Sequence, residues 1–150
     1  MGNAMFDSEK NLVHFFDTAI MKEHSPFSPE CKAKEFDYRE GRTDVIMSDK
    51  LGNLLAFEMK LEKWKQALNQ AYRNTSFAHY SYVVVPLRTA QRAIKQESEF
   101  LRRGVGLCSV DDNRIHIEID ARKCEPLRPW LTESAIEYML GGNDAQRGTI

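Results

Sequence analysis

Three charged residues stand where a buried strand would ordinarily exclude them: Asp44, Glu58 and Lys60. Glu58 and Lys60 close an apolar run that begins at Leu54, and Asp44 lies mid-run beside Val45 and Ile46. Aspartate is depleted from strands, and charges are seldom fully buried unless they are paired or bind a metal. Carboxylate oxygens are the ligands that Mg2+ prefers, and that ion keeps several waters while taking only one or two carboxylates from a protein. Asp44 and Glu58 meet this need. Lys60 could then orient or deprotonate a water whose pKa a metal has lowered. The same three residues also suit an internal salt-bridge cluster with no catalysis, and their spacing alone does not choose between the two.

The elements that must position these side chains can be read from hydrophobic period and turn residues. Residues 33–38 and 42–48 read as a hairpin through Glu40 and Gly41. A turn over 49–53 follows, with Gly52 available for positive φ, and a third strand spans 54–61. Three such strands in succession make an antiparallel meander, with Asp44 on the second strand and Glu58 and Lys60 on the third. Period-two alternation puts Glu58 and Lys60 on one face and Phe57 and Met59 on the other.

Before the meander, Asp7 or Ser8 can cap a helix running to about Met21, with Leu12, Phe15, Phe16, Ala19 and Ile20 as its apolar stripe. Glu9 extends that stripe toward the sheet, although an acid in a first turn also suits the helix dipole. After the meander, 63–74 reads as a second helix. Trp64, Ala67, Leu68 and Ala71 share one face, and Lys63, Gln66, Gln70 and Arg73 share another, as either a solvated face or the border of a phosphate groove. Residues 80–86 form a nearly continuous apolar strand, expected to be central.

Thr89 is expected to cap a helix reaching Arg103, with Ala90, Ala93, Ile94, Phe100 and Leu101 inward and Gly104 as its stop. A strand over 105–110, a turn over 111–113 and a strand alternating Ile115, Ile117 and Ile119 follow, which leaves His116 and Glu118 facing solvent. A short helix over 133–140 precedes Gly141 and Gly142, and it could cover the core or make a dimer contact. Residues 1–142 read as a single domain and 143–150 as a flexible tail.

Composition narrows the classes of function. A net charge of -1 over 150 residues and a pI near 6.4 exclude a globally basic nucleic-acid binder, so a polyanion would be held by local Lys and Arg with help from a metal. Three widely spaced cysteines show no zinc pattern, and a reducing cytoplasm is their simplest setting. No apolar run reaches the roughly 20 residues that a membrane-spanning helix requires. The four histidines are scattered, and neither a Gly-x-Ser-x-Gly elbow nor a phosphate-binding Gly-rich loop is present.

The order of elements, together with Asp44, Glu58 and Lys60, resembles the PD-(D/E)XK nuclease superfamily over roughly Glu9 to Pro86. That resemblance implies an α/β (α+β) protein with a restriction endonuclease-like α-β-β-β-α-β core. A central mixed sheet would be flanked by helices, and the rest of the chain would add a helix, two strands and a short terminal helix. It implies Mg2+, with Mn2+ as a substitute, held by Asp44, Glu58, the Met59 carbonyl and Glu9. Lys60 would serve the water, and Gln70 or Gln66 would steady the network from the second helix. The family's Pro-Asp dipeptide is here Thr43 followed by Asp44, which leaves the ligand itself intact.

The implied activity is hydrolysis of DNA phosphodiester bonds, with RNA left open. Lys63, Gln66 and Arg73 are candidate nucleic-acid contacts, and a homodimer or docking onto a larger complex could supply further grip. The competing expectation, from a different class, is a catalytically silent nucleic-acid-binding or protein-interaction module on the same fold.

Overall fold

A computed structural model describes residues 6–142. The expected flexible tail, 143–150, lies outside the described residues. Helix α1 (Glu9–Met21) starts where Ser8, extended and non-helical, accepts the Asn11 N–H at 3.1 Å and so satisfies one of the first-turn donors. Its buried residues, Leu12, Phe16, Ala19 and Ile20, recur at helical spacing and pack on one face of the sheet.

Strands β1 (Cys31–Asp37), β2 (Arg42–Ser48) and β3 (Leu54–Met59) form the expected antiparallel meander. Gly52 takes φ 84° in the second turn, as its position there suggested. Helix α2 (Trp64–Asn74) carries the chain to β4 (Tyr80–Pro86), which runs parallel to β3. A second crossover, α3 (Leu87–Ala93), a 3-10 turn over Ile94–Gln96 and α4 (Glu97–Arg103), leads to β5 (Gly106–Asp111), parallel to β4. Strand β6 (Arg114–Ile119) closes the sheet antiparallel to β5, and α5 (Pro129–Glu137) continues into a π turn over Tyr138–Gly142.

The result is an α/β fold whose mixed sheet has six strands in sequence order, flanked by helices on both faces. Strand β4 is central, buried along its length between two parallel neighbours. Because β3, β4 and β5 step in one direction, both crossovers lie on the same face, where Trp64, Leu68, Val83, Val85, Ala90 and Phe100 share one apolar cluster. Among the described residues α1 is the helix on the opposite face, where Phe16 and the loop residue Phe27 pack against the rings of Phe57 and Tyr82. Gly106 is required where β5 passes β4, since a Cβ there would lie 2.5 Å from the Tyr82 ring and 2.7 Å from the Ala121 nitrogen.

Several expectations need correction. The helix from Thr89 is two helices joined by a tighter turn, and α3 begins directly after Pro86. Thr89 does not cap it: the side chain is buried and donates to the Leu61 carbonyl at 2.5 Å. The change in winding also turns Ile94 and Leu101 outward, at 37% and 54% exposure, while Ala90, Ala93 and Phe100 remain inside. Glu118 is half-buried and accepts the Ser109 hydroxyl at 2.8 Å, so only His116 of that pair faces solvent. The last helix starts at Pro129, four residues before Glu133, because proline suits a first helical position. It buries Leu131, Thr132 and Ala135 against the sheet and leaves Trp130 exposed.

Candidate active site

The β1–β2 ladder pairs Lys34 with Val45 and next pairs Phe36 with Thr43, skipping Glu35 and Asp44. Glu35 sits at φ 55°, a left-handed conformation uncommon for such a residue. The alternation of faces is reset on both strands at this level. Ala33 and Phe36, three apart, enter the same apolar cluster beneath α5. On β2, Ile46 joins that cluster and Thr43, also three residues away, reaches α2. Simple period-two counting therefore misplaces Asp44.

Pairing of β2 with β3 also stops here, at Val45 and Phe57. The Asp44 carboxylate stands in for the missing backbone acceptor and takes the Met59 N–H at 2.8 Å. Glu58, the residue after Phe57, is 2% exposed, and its carboxyl hydrogen-bonds that of Asp44. Two acids are thus in direct contact at the point where two strands part.

Electrostatics follow from that contact. Burial, and next the charge of Asp44, push Glu58 up to about 8, against the stabilising Asn74 amide. Burial also raises Asp44, although the Met59 N–H and the hydrogen bond from Glu58 oppose the shift. Both shifts act in one direction: the contact favours a proton held by the pair over two bare carboxylates.

Glu58 is fixed from the helical side by residues that the sequence did not single out. Asn74, fully buried at the end of α2, donates through Nδ2 to Glu58 Oε2 at 2.8 Å. Its Oδ1 accepts the Tyr38 and Thr43 hydroxyls, each at 3.1 Å. With both hydroxyls on the oxygen, the amide must aim its nitrogen at Glu58. The signal was in the sequence: Asn74 follows Ala71 by three and Ala67 by seven, on the buried stripe of α2.

Lys60 lies one residue beyond β3, with its N–H on the Val84 carbonyl at 3.2 Å. Its ammonium is 3.6 Å from Glu9 Oε2 on α1. Glu58 therefore faces α2 while Lys60 reaches α1, a correction to their expected shared face, because the alternation ends where the strand ends. Asp44 lies between, where the charge of Glu9 raises its carboxyl and that of Lys60 lowers it. A cleft of about 480 Å³ opens on Asp44, walled by Glu9, Lys10, Val13 and His14 of α1 and by Lys34 and Glu35 of β1.

Gln70 is half-buried on α2, one turn before Asn74, and Gln66, Lys63 and Arg73 are exposed. Among the described residues no hydrogen bond joins Gln70 or Gln66 to the acids, whereas the charge of Arg73 is close enough to act on Glu58. Among these residues, no group of three or more His, Cys, Asp or Glu side chains stands together as a metal cage. The oxygen donors that do meet are the two carboxyls of Asp44 and Glu58, a hard pair of the number that Mg2+ takes from proteins.

No protein-family model matches the chain, and no curated protein matches it. Among solved structures, the SPO1766 protein of unknown function from Silicibacter pomeroyi is similar at a TM-score of 0.64 and 17% identity, over 98% of this chain and 90% of that chain. The two share a fold. A repair endonuclease from Pyrococcus abyssi is similar at a TM-score of 0.39 and 21% identity, over 60% of this chain and 42% of that chain. A likeness so slight and partial carries no argument about the site.

Proposed function

We propose that the protein is a divalent-metal-dependent nuclease that hydrolyses phosphodiester bonds of DNA. The reading rests on one observation: two carboxyl groups, one of them fully buried, are held against each other where β2 and β3 separate, with a lysine at the end of the same strand. Such a pair is costly unless a proton or a cation neutralises it. Asp44 and Glu58 would hold Mg2+ or Mn2+. The Met59 carbonyl would assist, since the N–H and C=O of one strand residue point the same way and its N–H points at Asp44. A bound divalent ion supplies charge neutralisation and a more acidic water.

The remaining work belongs to the chain. Lys60 would exchange its partly exposed partner Glu9 for the attacking water and orient it toward phosphorus. Water oxygen forms the new P–O bond as its proton passes to bulk solvent, the bond to the departing sugar oxygen breaks, and that oxygen leaves as an alcohol after taking a proton from solvent. Asn74 would hold Glu58 so that its second oxygen stays turned to Asp44.

A second reading has an observation of its own. Lys60 is already paired with Glu9, and a single proton between the touching carboxyls of Asp44 and Glu58 would satisfy the rest of the cluster without a metal, as a silent binding module would need. Incubation with supercoiled, linear, single-stranded and branched DNA, and with RNA, in Mg2+ or Mn2+ separates the two. Cleavage that needs the metal and disappears in Glu58→Ala and Lys60→Ala is expected. Binding without cleavage, equal in those variants and the parent, would leave the second reading standing and remove the first.

A further inference from the structure

The carboxyl ends of β3, β4 and β5 border a second cavity, of about 210 Å³, on the same edge of the sheet as Lys60. Crevices outside the carboxyl ends of parallel strands are where open α/β sheets accept ligands. Its lining includes Leu61 and Glu62 from the exit of β3, Arg88 and Arg92 from α3, and Asp111 from β5. Phe6, just before α1, supplies an apolar wall.

Arg88 and Arg92 are four residues apart on α3 and so share a face of it. Both are exposed, and among the described residues neither guanidinium makes an ion pair or a hydrogen bond. Arg102, Arg103 and Arg128, by contrast, are engaged by Glu99 and Glu40. Glu62 and Asp111 line the same cavity, yet neither comes within ion-pair distance of Arg88 or Arg92. Two forked cations left unpaired at the rim of a cavity suit an oxyanion with several acceptor oxygens.

The pair is also registered to the candidate active site. Thr89, between the two arginines, is tied to the Leu61 carbonyl, and the Lys60 N–H is tied to Val84 at the end of β4. The arginines are thereby fixed to the residue next to Lys60 through a partly buried hydrogen bond from the helix that carries them, not through a loop.

We infer that Arg88 and Arg92 bind a backbone phosphate of a nucleic-acid strand, one that flanks the phosphate lying at Asp44, Glu58 and Lys60. This rests on the nuclease reading for the identity of the strand, and its test separates the two. Anisotropy of a fluorescent single-stranded oligonucleotide is followed in Mg2+ across a salt series, in a Lys60→Ala background that prevents turnover. Adding Arg88→Ala and Arg92→Ala together is expected to weaken binding about tenfold and to reduce the salt slope by roughly 1.

Arg88→Lys with Arg92→Lys should recover part of the loss, since charge is kept and the fork is not. Lys22→Ala with Lys50→Ala removes equal charge from exposed positions at the far ends of α1 and β3, and should leave binding unchanged. Binding that is equal with and without the arginines overturns the subsite, while cleavage by the Lys60-containing protein keeps the nuclease reading. Arginine-dependent binding by a protein that never cleaves keeps the subsite and removes the nuclease reading. Absence of any oligonucleotide binding overturns both.

Discussion

The two sides of Asp44 are built on opposite principles. Toward α2, Glu58, Asn74, Thr43 and Tyr38 form a dry chain of hydrogen bonds in which every member is buried. Toward α1, Lys60 meets Glu9 at 3.6 Å, with Glu9 half exposed and Lys60 one-fifth exposed. In the first region each polar group depends on its partner, because an unsatisfied donor or acceptor there cannot turn to water. In the second, water replaces whatever is lost. The first region holds its side chains still, and the second leaves them room to change partners.

The largest effect should come from pH acting on the buried side. Glu58 is pushed up to about 8, whereas in the unfolded chain it titrates near the ordinary value of 4.5. Between those values the unfolded chain loses the proton and the folded chain keeps it, so stability from this group is complete below the lower value and is lost as pH rises through the higher. Glu58→Gln imitates the protonated acid and should gain stability over the parent, by on the order of 4 kcal/mol, between about pH 5 and about pH 9. Urea unfolding at both ends of that range measures the gain, and parallel pH curves for the two proteins would contradict a shared proton.

Next comes Asn74→Ala, which strands two hydroxyls and a carboxyl inside the protein. A loss of about 3 kcal/mol is expected from chemical denaturation, with Asn74→Asp no better because it adds a charge beside Glu58. Lys60→Ala should take cleavage below detection, a fall of at least about 100-fold or roughly 3 kcal/mol on the barrier, while shifting stability by less than about 1 kcal/mol. A stability loss as large as that of Asn74→Ala would erase the contrast between the two sides. Smallest is Glu9→Gln, which should change stability by about 0.5 kcal/mol or less, detectable as a slight fall in Tm that disappears at high salt.

Much of this architecture is legible in the residues, for identifiable reasons. The bounds of β2 at Arg42 and Ser48 and the start of β3 at Leu54 are legible, because turn residues flank both and apolar side chains fill them. Helix α2 was equally clear, since its apolar stripe has one period throughout. The reset at Glu35 and Asp44 was not legible, because it is a backbone event that preserves the overall hydrophobic pattern and alters only which face each side chain meets. The split of the helix after β4 escaped for a related reason: a 3-10 turn changes the winding without a proline or glycine to mark it.

The candidate site divides in the same way. Asp44, Glu58 and Lys60 stood out because their charge contradicts their surroundings. Asn74 did not, because an asparagine at the end of a helix has ordinary local explanations and its value depends on Tyr38 and Thr43. Glutamines on the polar face of α2 drew notice instead, as chemistry visible in one dimension. Partners brought together across 31 and 36 residues are not visible there.

The irregularity at Glu35 has an effect beyond the placement of Asp44. Strand β1 is one margin of the sheet, and a straight margin presents free backbone groups to any other chain that could add a strand. Here the left-handed residue bends that margin, and Tyr138, from the terminal turn, donates to the Lys34 carbonyl at 2.7 Å. The kink that turns Asp44 toward the α1 cleft thus also protects the protein outside, by denying neighbouring molecules a template on which to aggregate.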